Sequence, residues 1–320
     1  MLSRSAQGVY WMARYLARAG YLSRLLELQV QFLVDRSVEE IHFGWKRIYG
    51  CMKRFPPPGE QFLPETDEFA LADAFTLADD LTFERSNPDS VWSAIAGGRE
   101  NARQMRHCIS GEMWTCLNSA WLRMRDLEAV DIWRTPEVFY AQTRSEIHNF
   151  VGVADATMYR GAAWRFMRLG RAIERAQLAV SLLLAQIDLS RRTERRTLGW
   201  ASMLRTHHAL EAYGRVHGIE MTPDRVLDLL VADPSLPGSV LATVQAAATE
   251  LEGLGAGPGV EADAAARRLA GRAEALILYD WPEASAPEEL LERVNQSARD
   301  LHDAVLGAFV DYAIEDSPLR

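Results

Sequence analysis

The residues best suited to chemistry lie in one short run, Arg168-Leu-Gly-Arg171-Ala-Ile-Glu174-Arg175. Arg168, Arg171 and Arg175 fall at i, i+3 and i+7 and so make a stripe along one side of a helix. Planar guanidiniums suit a carboxylate or phosphate, because the rigid fork offers two-point hydrogen bonds. Glu174 is the one carboxylate in the run. Held by arginine it would have a lowered pKa, which fits an ionised acceptor better than a general acid. Neighbouring residues on a helix point ~100° apart, so Glu174 and Arg175 do not meet by adjacency. Asp155 and Thr157 stand just ahead of the run. They are placed to cap the N-terminus of its helix and, beside the arginine stripe, to help form an anion site.

The run has an echo. Residues 13–19 read Ala-Arg-Tyr-Leu-Ala-Arg-Ala, and an offset of 157 aligns Arg14, Leu16, Arg18 and Ala19 with Arg171, Ile173, Arg175 and Ala176. Arg14 and Arg18 repel at i, i+4 by a few tenths of a kcal/mol. The position aligned with Glu174 is Ala17, so no local carboxylate answers them. Their counter-charge has to come from another helix, a partner chain, a bound anion or solvent. We take Glu174 and Arg175 as candidate catalytic residues. Arg14, Arg18, Arg168, Arg171, Asp155 and Thr157 are the candidate substrate-binding set.

Other polar clusters are weaker. Arg99, Glu100, Asn101, Arg103 and Arg106 form one polar helix face, and Glu112 with Trp114 suits a helix start. Glu39-x-x-His42 is a single Glu-x-x-His spacing where a carboxylate-bridged dimetal bundle needs two and two further carboxylates, and His207, His208 and Glu211 give an incomplete set on one helix. No metal is assigned. No phosphate-binding glycine loop, dinucleotide fingerprint or serine-hydrolase elbow occurs, so no cofactor is assigned either.

These residues need helices to position them, and helical periodicity runs almost throughout. Val9, Met12, Leu16, Leu22, Leu26, Val30 and Leu33 keep to one face, as do Trp164, Met167, Ala176, Val180, Leu183 and Ile187. Asn87-Pro88, Thr135-Pro136, Thr222-Pro223 and Ala286-Pro287 read as helix starts. Loops are expected at Pro56-Pro57-Pro58-Gly59, at Asp233 to Gly238 and at Gly253 to Gly259. No alternating strand appears. The reading is all-α: a bundle of about ten helices containing a pseudo-repeated long helix, in one domain over 1–320. The acidic stretch 201–320 is a candidate second lobe.

Composition narrows the function classes. The 320 residues carry a net charge of −9, which argues against a nucleic-acid binder. The charge is uneven: +5 over 1–55, −8 over 56–90, +5 over 91–200 and −11 over 201–320. Cys51, Cys108 and Cys116 show no metal or disulfide spacing, so reduced thiols in the cytoplasm are expected. No stretch approaches the ~18–20 apolar residues of a membrane span, and no signal-peptide run follows Met1.

At this point a family resemblance emerges. The chain resembles the bacterial alpha-E family at Met1-Leu-Ser-Arg, Tyr10-Trp11, Arg14-Tyr15-Leu16 and Arg99 to Arg103. The likeness continues at Ile109 to Trp114, Leu117-Asn118, Thr157-Met158, Trp164 to Phe166 and Leu169 to Ala176. It ends at Glu211-Ala212-Tyr213 and Asp233 to Val240. The resemblance implies an all-helical cytoplasmic protein, encoded beside a circularly permuted ATP-grasp protein and often a transglutaminase-like protease. It therefore implies an accessory role in ATP-dependent amide- or peptide-bond formation. An enzyme using Glu174 and an Arg-rich pocket for an acidic or phosphorylated intermediate is the alternative, and a homodimeric scaffold is a third reading. The family's first helix usually reads Arg-Tyr-Leu-Glu-Arg-Ala-Glu, whereas Ala17 and Gly20 occupy the two acidic positions here.

Overall fold

The computed structural model describes residues 3–57, 67–192, 197–255 and 260–309. Within them the chain forms α1 (Ser3–Asp35), α2 (Val38–Met52), α3 (Asp67–Thr82), α4 (Val91–Gln104), α5 (Gly111–Arg125), α6 (Ala129–Ile132) and α7 (Pro136–Thr157). There follow α8 (Ala162–Arg192), α9 (Trp200–Thr206), α10 (Leu210–His217), α11 (Pro223–Ala232), α12 (Val240–Leu254), α13 (Val260–Ala275) and α14 (Pro287–Phe309). A π turn at Leu276–Asp280 and a 3-10 turn at Trp281–Glu283 lead from α13 to α14. The all-α expectation holds. The described residues contain 14 helices rather than about ten, because helices as short as α6, α9 and α10 hold too few residues to show a period.

Local chemistry explains the starts. Ser37 and Glu40 form a reciprocal capping box at α2. Ser90, Ser110 and Ser239 each accept a hydrogen bond from the backbone N–H three residues on. Thr135 and Thr222 precede a proline in the first turn, though neither side chain makes a capping bond. The Asp233–Gly238 loop joins α11 to α12 as expected. Pro58-Gly59 and residues 256–259 of the other two expected loops lie outside the described residues, and Gly253 is still helical.

Helices α1 and α8 lie side by side and run the same way, since Tyr10 meets Gly170 while Arg14 and Arg18 meet Glu174. Around them the packing is duplicated. Helix α1 packs on α4 and α7, with α5 on α7; α8 packs on α12 and α14, with α13 on α14. The α7 helix runs antiparallel to α1, pairing Arg144 with Glu27, and α14 runs antiparallel to α8, pairing Glu288 with Arg191. The offset of 157 that relates α1 to α8 also lays most of α7 onto α14, from residue 293 onward.

Each half has its own apolar cluster. Val9, Met12 and Leu16 join Met113, Leu117 and Phe150 in one; Phe166, Leu169 and Ile173 join Leu251, Leu301 and Val305 in the other. The largest cluster lies between the far ends of the long helices, around Leu22, Leu26, Trp45, Leu182, Leu183 and Trp200. Burying one such leucine contributes about 2 kcal/mol, several times a surface ion pair, so apolar packing sets the helix positions. Among the described residues, no helix is long and apolar enough to cross a membrane.

Candidate functional site

The α1–α8 contact has two polar grooves, and the candidate residues divide between them. In the first groove Glu174 is the hub. Arg14 Nε donates to its Oε2 and Arg18 Nε to its Oε1, both at 2.6 Å. The Glu174 side chain is 1% exposed. Arg14 Nη2 also donates to Gln177 Oε1 at 2.7 Å, and Arg18 Nη1 pairs with Asp89 just before α4. The network extends through Tyr10, whose hydroxyl lies 2.8 Å from His302 Nδ1 on α14. One carboxylate thus bridges two guanidiniums that would otherwise repel at i, i+4. Burial pushes the Glu174 carboxyl up, but Arg14 and Arg18 outweigh it and hold it below its ordinary value. Burial raises the Tyr10 hydroxyl to about 12 against the pull of Arg14.

The second groove is open and cationic. A cavity of about 550 Å³ lies between α1, α7, α8 and the turn after α9. Among the described residues, five arginines line it. Arg24 and Arg144 share Glu27 at 3.0 and 2.9 Å, and Arg168 pairs with Glu250 at 2.5 Å. Among the described residues no carboxylate forms an ion pair with Arg171 or Arg175; the one hydrogen bond of Arg175 runs to the Pro237 carbonyl at 3.3 Å. Burial, then Arg175 and Arg168 beside it, pushes Arg171 down to about 10. Burial also lowers Arg175. His207 is pushed to about 4 by burial, with Arg175 and His208 adding to it. His148 and His208 are lowered by burial and then by surrounding guanidiniums.

His208 closes α9 in a left-handed conformation, φ 54°. Its N–H reaches Arg205 O while Ala209 N–H reaches Leu204 O, the double bond of a Schellman ending. This turn places His208 on the cavity wall.

A family pattern described as "a predicted alpha-helical domain with a conserved ER motif" matches residues 1–310. The chain belongs to the Alpha-E family. No curated protein and no solved structure matches it. In this Alpha-E chain the Glu-Arg pair at 174–175 is split between grooves: Glu174 lines the first and Arg175 the second. The reading that the two side chains do not meet by adjacency describes the geometry.

The other candidates separate as follows. Arg14 and Arg18 belong to the Glu174 network, and Arg168, Arg171 and Arg175 to the cavity. Asp155 and Thr157 do not cap the second long helix: both lie in the last turn of α7, and α8 begins at Ala162. Asp155 touches the cavity rim but pairs with Arg160 at 3.1 Å, in solvent. Thr157 Oγ1 lies 2.7 Å from Val153 O and 2.8 Å from Ser110 Oγ. The 99–106 face is occupied elsewhere, Arg99 with Asn118 and Arg103 with Glu100. Sequence reasoning missed Asp89, Gln177, Tyr10 and His302. One signal for Asp89 was available: Pro88-Asp89-Ser90-Val91 echoes Pro237-Gly238-Ser239-Val240.

Proposed function

We propose that this Alpha-E chain is an accessory helical subunit of a circularly permuted ATP-grasp ligase, in a system forming or modifying amide or peptide bonds. The observation that carries the reading is the state of Glu174. It is buried and bridged by two guanidiniums at 2.6 Å, which hold its carboxyl below the ordinary value. A carboxylate so held neither accepts a substrate proton readily nor reaches solvent, and its removal strands two charges. The best-placed carboxylate of the motif therefore serves architecture. ATP-driven activation falls to the partner.

The second groove gives the alternative, an enzyme built on an Arg-rich pocket, its partial support: the arginines are there. Glu174 faces away from them, in the other groove, so one site does not contain both.

Mixing the purified chain with the ATP-grasp protein tests the reading. The pair should co-elute at micromolar concentration, and this chain should raise the partner's ATP turnover. Two proteins that elute separately, with turnover unchanged across the titration, would overturn the accessory role.

A further inference from the structure

The two grooves are related by the internal duplication, and comparing them shows what the second one lacks. In the first, Glu174, Gln177 and Asp89 accept hydrogen bonds from Arg14 and Arg18, and the two carboxylates among them neutralise the pair. The offset of 157 maps Arg14 and Arg18 onto Arg171 and Arg175, and places Glu174 and Gln177 opposite Ala17 and Gly20. Asp89 precedes the N-cap Ser90 of α4, which packs on α1; Gly238 precedes the N-cap Ser239 of α12, which packs on α8. All three acceptors are thus replaced by residues without a polar side chain. Ala17, Gly20 and Gly238 all line the one cavity. The first groove retains about 180 Å³ of space, the second about 550 Å³.

The second groove repeats the arginine pair without the acceptors that meet it in the first. Arg171 and Arg175 are half-buried; guanidiniums partly withdrawn from water without a carboxylate carry a desolvation cost that an entering anion relieves. We propose that this cavity binds a small organic anion, its carboxylate or phosphate bridging Arg171 and Arg175 as the Glu174 carboxylate bridges Arg14 and Arg18. Two guanidiniums one helical turn apart fit two oxygens of either group. Leu16, Ile147, Phe150, Trp164 and Met167 supply apolar wall, so the ligand carries an apolar or aromatic body behind its anionic head. The site belongs to this chain alone and its test does not involve the ligase.

Titration calorimetry on the full chain with phenyl phosphate, benzoate and inorganic phosphate tests the proposal. At least one of the two aromatic anions should bind with a Kd below about 1 mM, and more tightly than inorganic phosphate. Binding of phenyl phosphate alone identifies a phosphoryl head, and binding of benzoate alone a carboxylate. Ala17→Glu returns the missing carboxylate and should weaken the bound probe at least tenfold. Arg171→Met should do the same by removing one arm, and it decides the matter alone if Ala17→Glu does not fold. Failure of wild type to bind any of the three probes overturns the proposal. So does wild-type affinity in either folded variant.

Discussion

Glu174 shows how a residue's surroundings decide its job. Its carboxylate touches two arginines 160 and 156 residues earlier in the chain, and its lowered pKa follows from them. Replacing it by glutamine keeps the shape and removes the charge. Removing one partner of a buried ion pair is costly because the other charges stay buried. Glu174→Gln is therefore expected to lose about 3 kcal/mol in urea unfolding; a loss under about 1 kcal/mol would mean that the bridge does not hold the helices together. Part of this was legible in the sequence. Like charges at 14 and 18 announced that a counter-charge was needed, and Ala17 announced that it was not local. Which carboxylate supplied it was not legible, because ion pairing depends on distances set by packing.

At the scale of elements, the two long helices approach closely enough for these contacts because Gly170 has no side chain. A Cβ at 170 would lie 2.4 Å from the Tyr10 carbonyl oxygen, a backbone atom that cannot swing aside. Gly170→Ala must push α1 and α8 apart and stretch the Arg14–Glu174 bridge. Overpacking of this kind costs about 2 kcal/mol. The expected result is a lower urea midpoint with helical content unchanged; a variant as stable as wild type would show that the helices have slack there. The long helices were readable from their apolar period. The short α9 was not, although its C-terminal turn carries His208 to the cavity. Seven residues make under two turns, too few for a face to repeat.

The whole molecule responds to pH through several buried groups that act in the same direction. His207 and His302 are both pushed from the ordinary 6.5 to about 4, chiefly by burial. Their stability contribution is present above pH 6.5 and is lost as pH falls toward 4, because the unfolded chain takes up protons first. For His207 the shift corresponds to about 3 kcal/mol; His302 is more exposed and contributes less. Glu174, held below its ordinary 4.5, begins to lose its contribution as pH falls past 4.5, where the unfolded chain protonates, and has lost it once pH passes the lower folded value. Urea unfolding should give a plateau from pH 6.5 to about 8, a decline from 6.5 to 4 and a steeper loss below. His207→Gln should flatten the middle segment. An unchanged slope there would mean that this histidine protonates freely in the folded chain.

The duplication is a property at this same scale, and it marks the boundary of what one chain of letters can show. Sequence alone determined the all-helical class, the two long helices with their arginine echo, and the likeness to the Alpha-E family. Those features rest on local periodicity and on ordered short motifs, which need no knowledge of distant contacts. Tertiary structure decided which arginines are neutralised and which are not. Arg14 and Arg171 read alike as letters, yet one meets a carboxylate and the other faces a cavity. Arg14 meets Glu174, whose counterpart beside Arg171 is Ala17, and Arg18 also meets Asp89, whose counterpart beside Arg175 is Gly238. A Coulomb interaction is fixed by separation in space, and only the packing of two similar halves sets that separation.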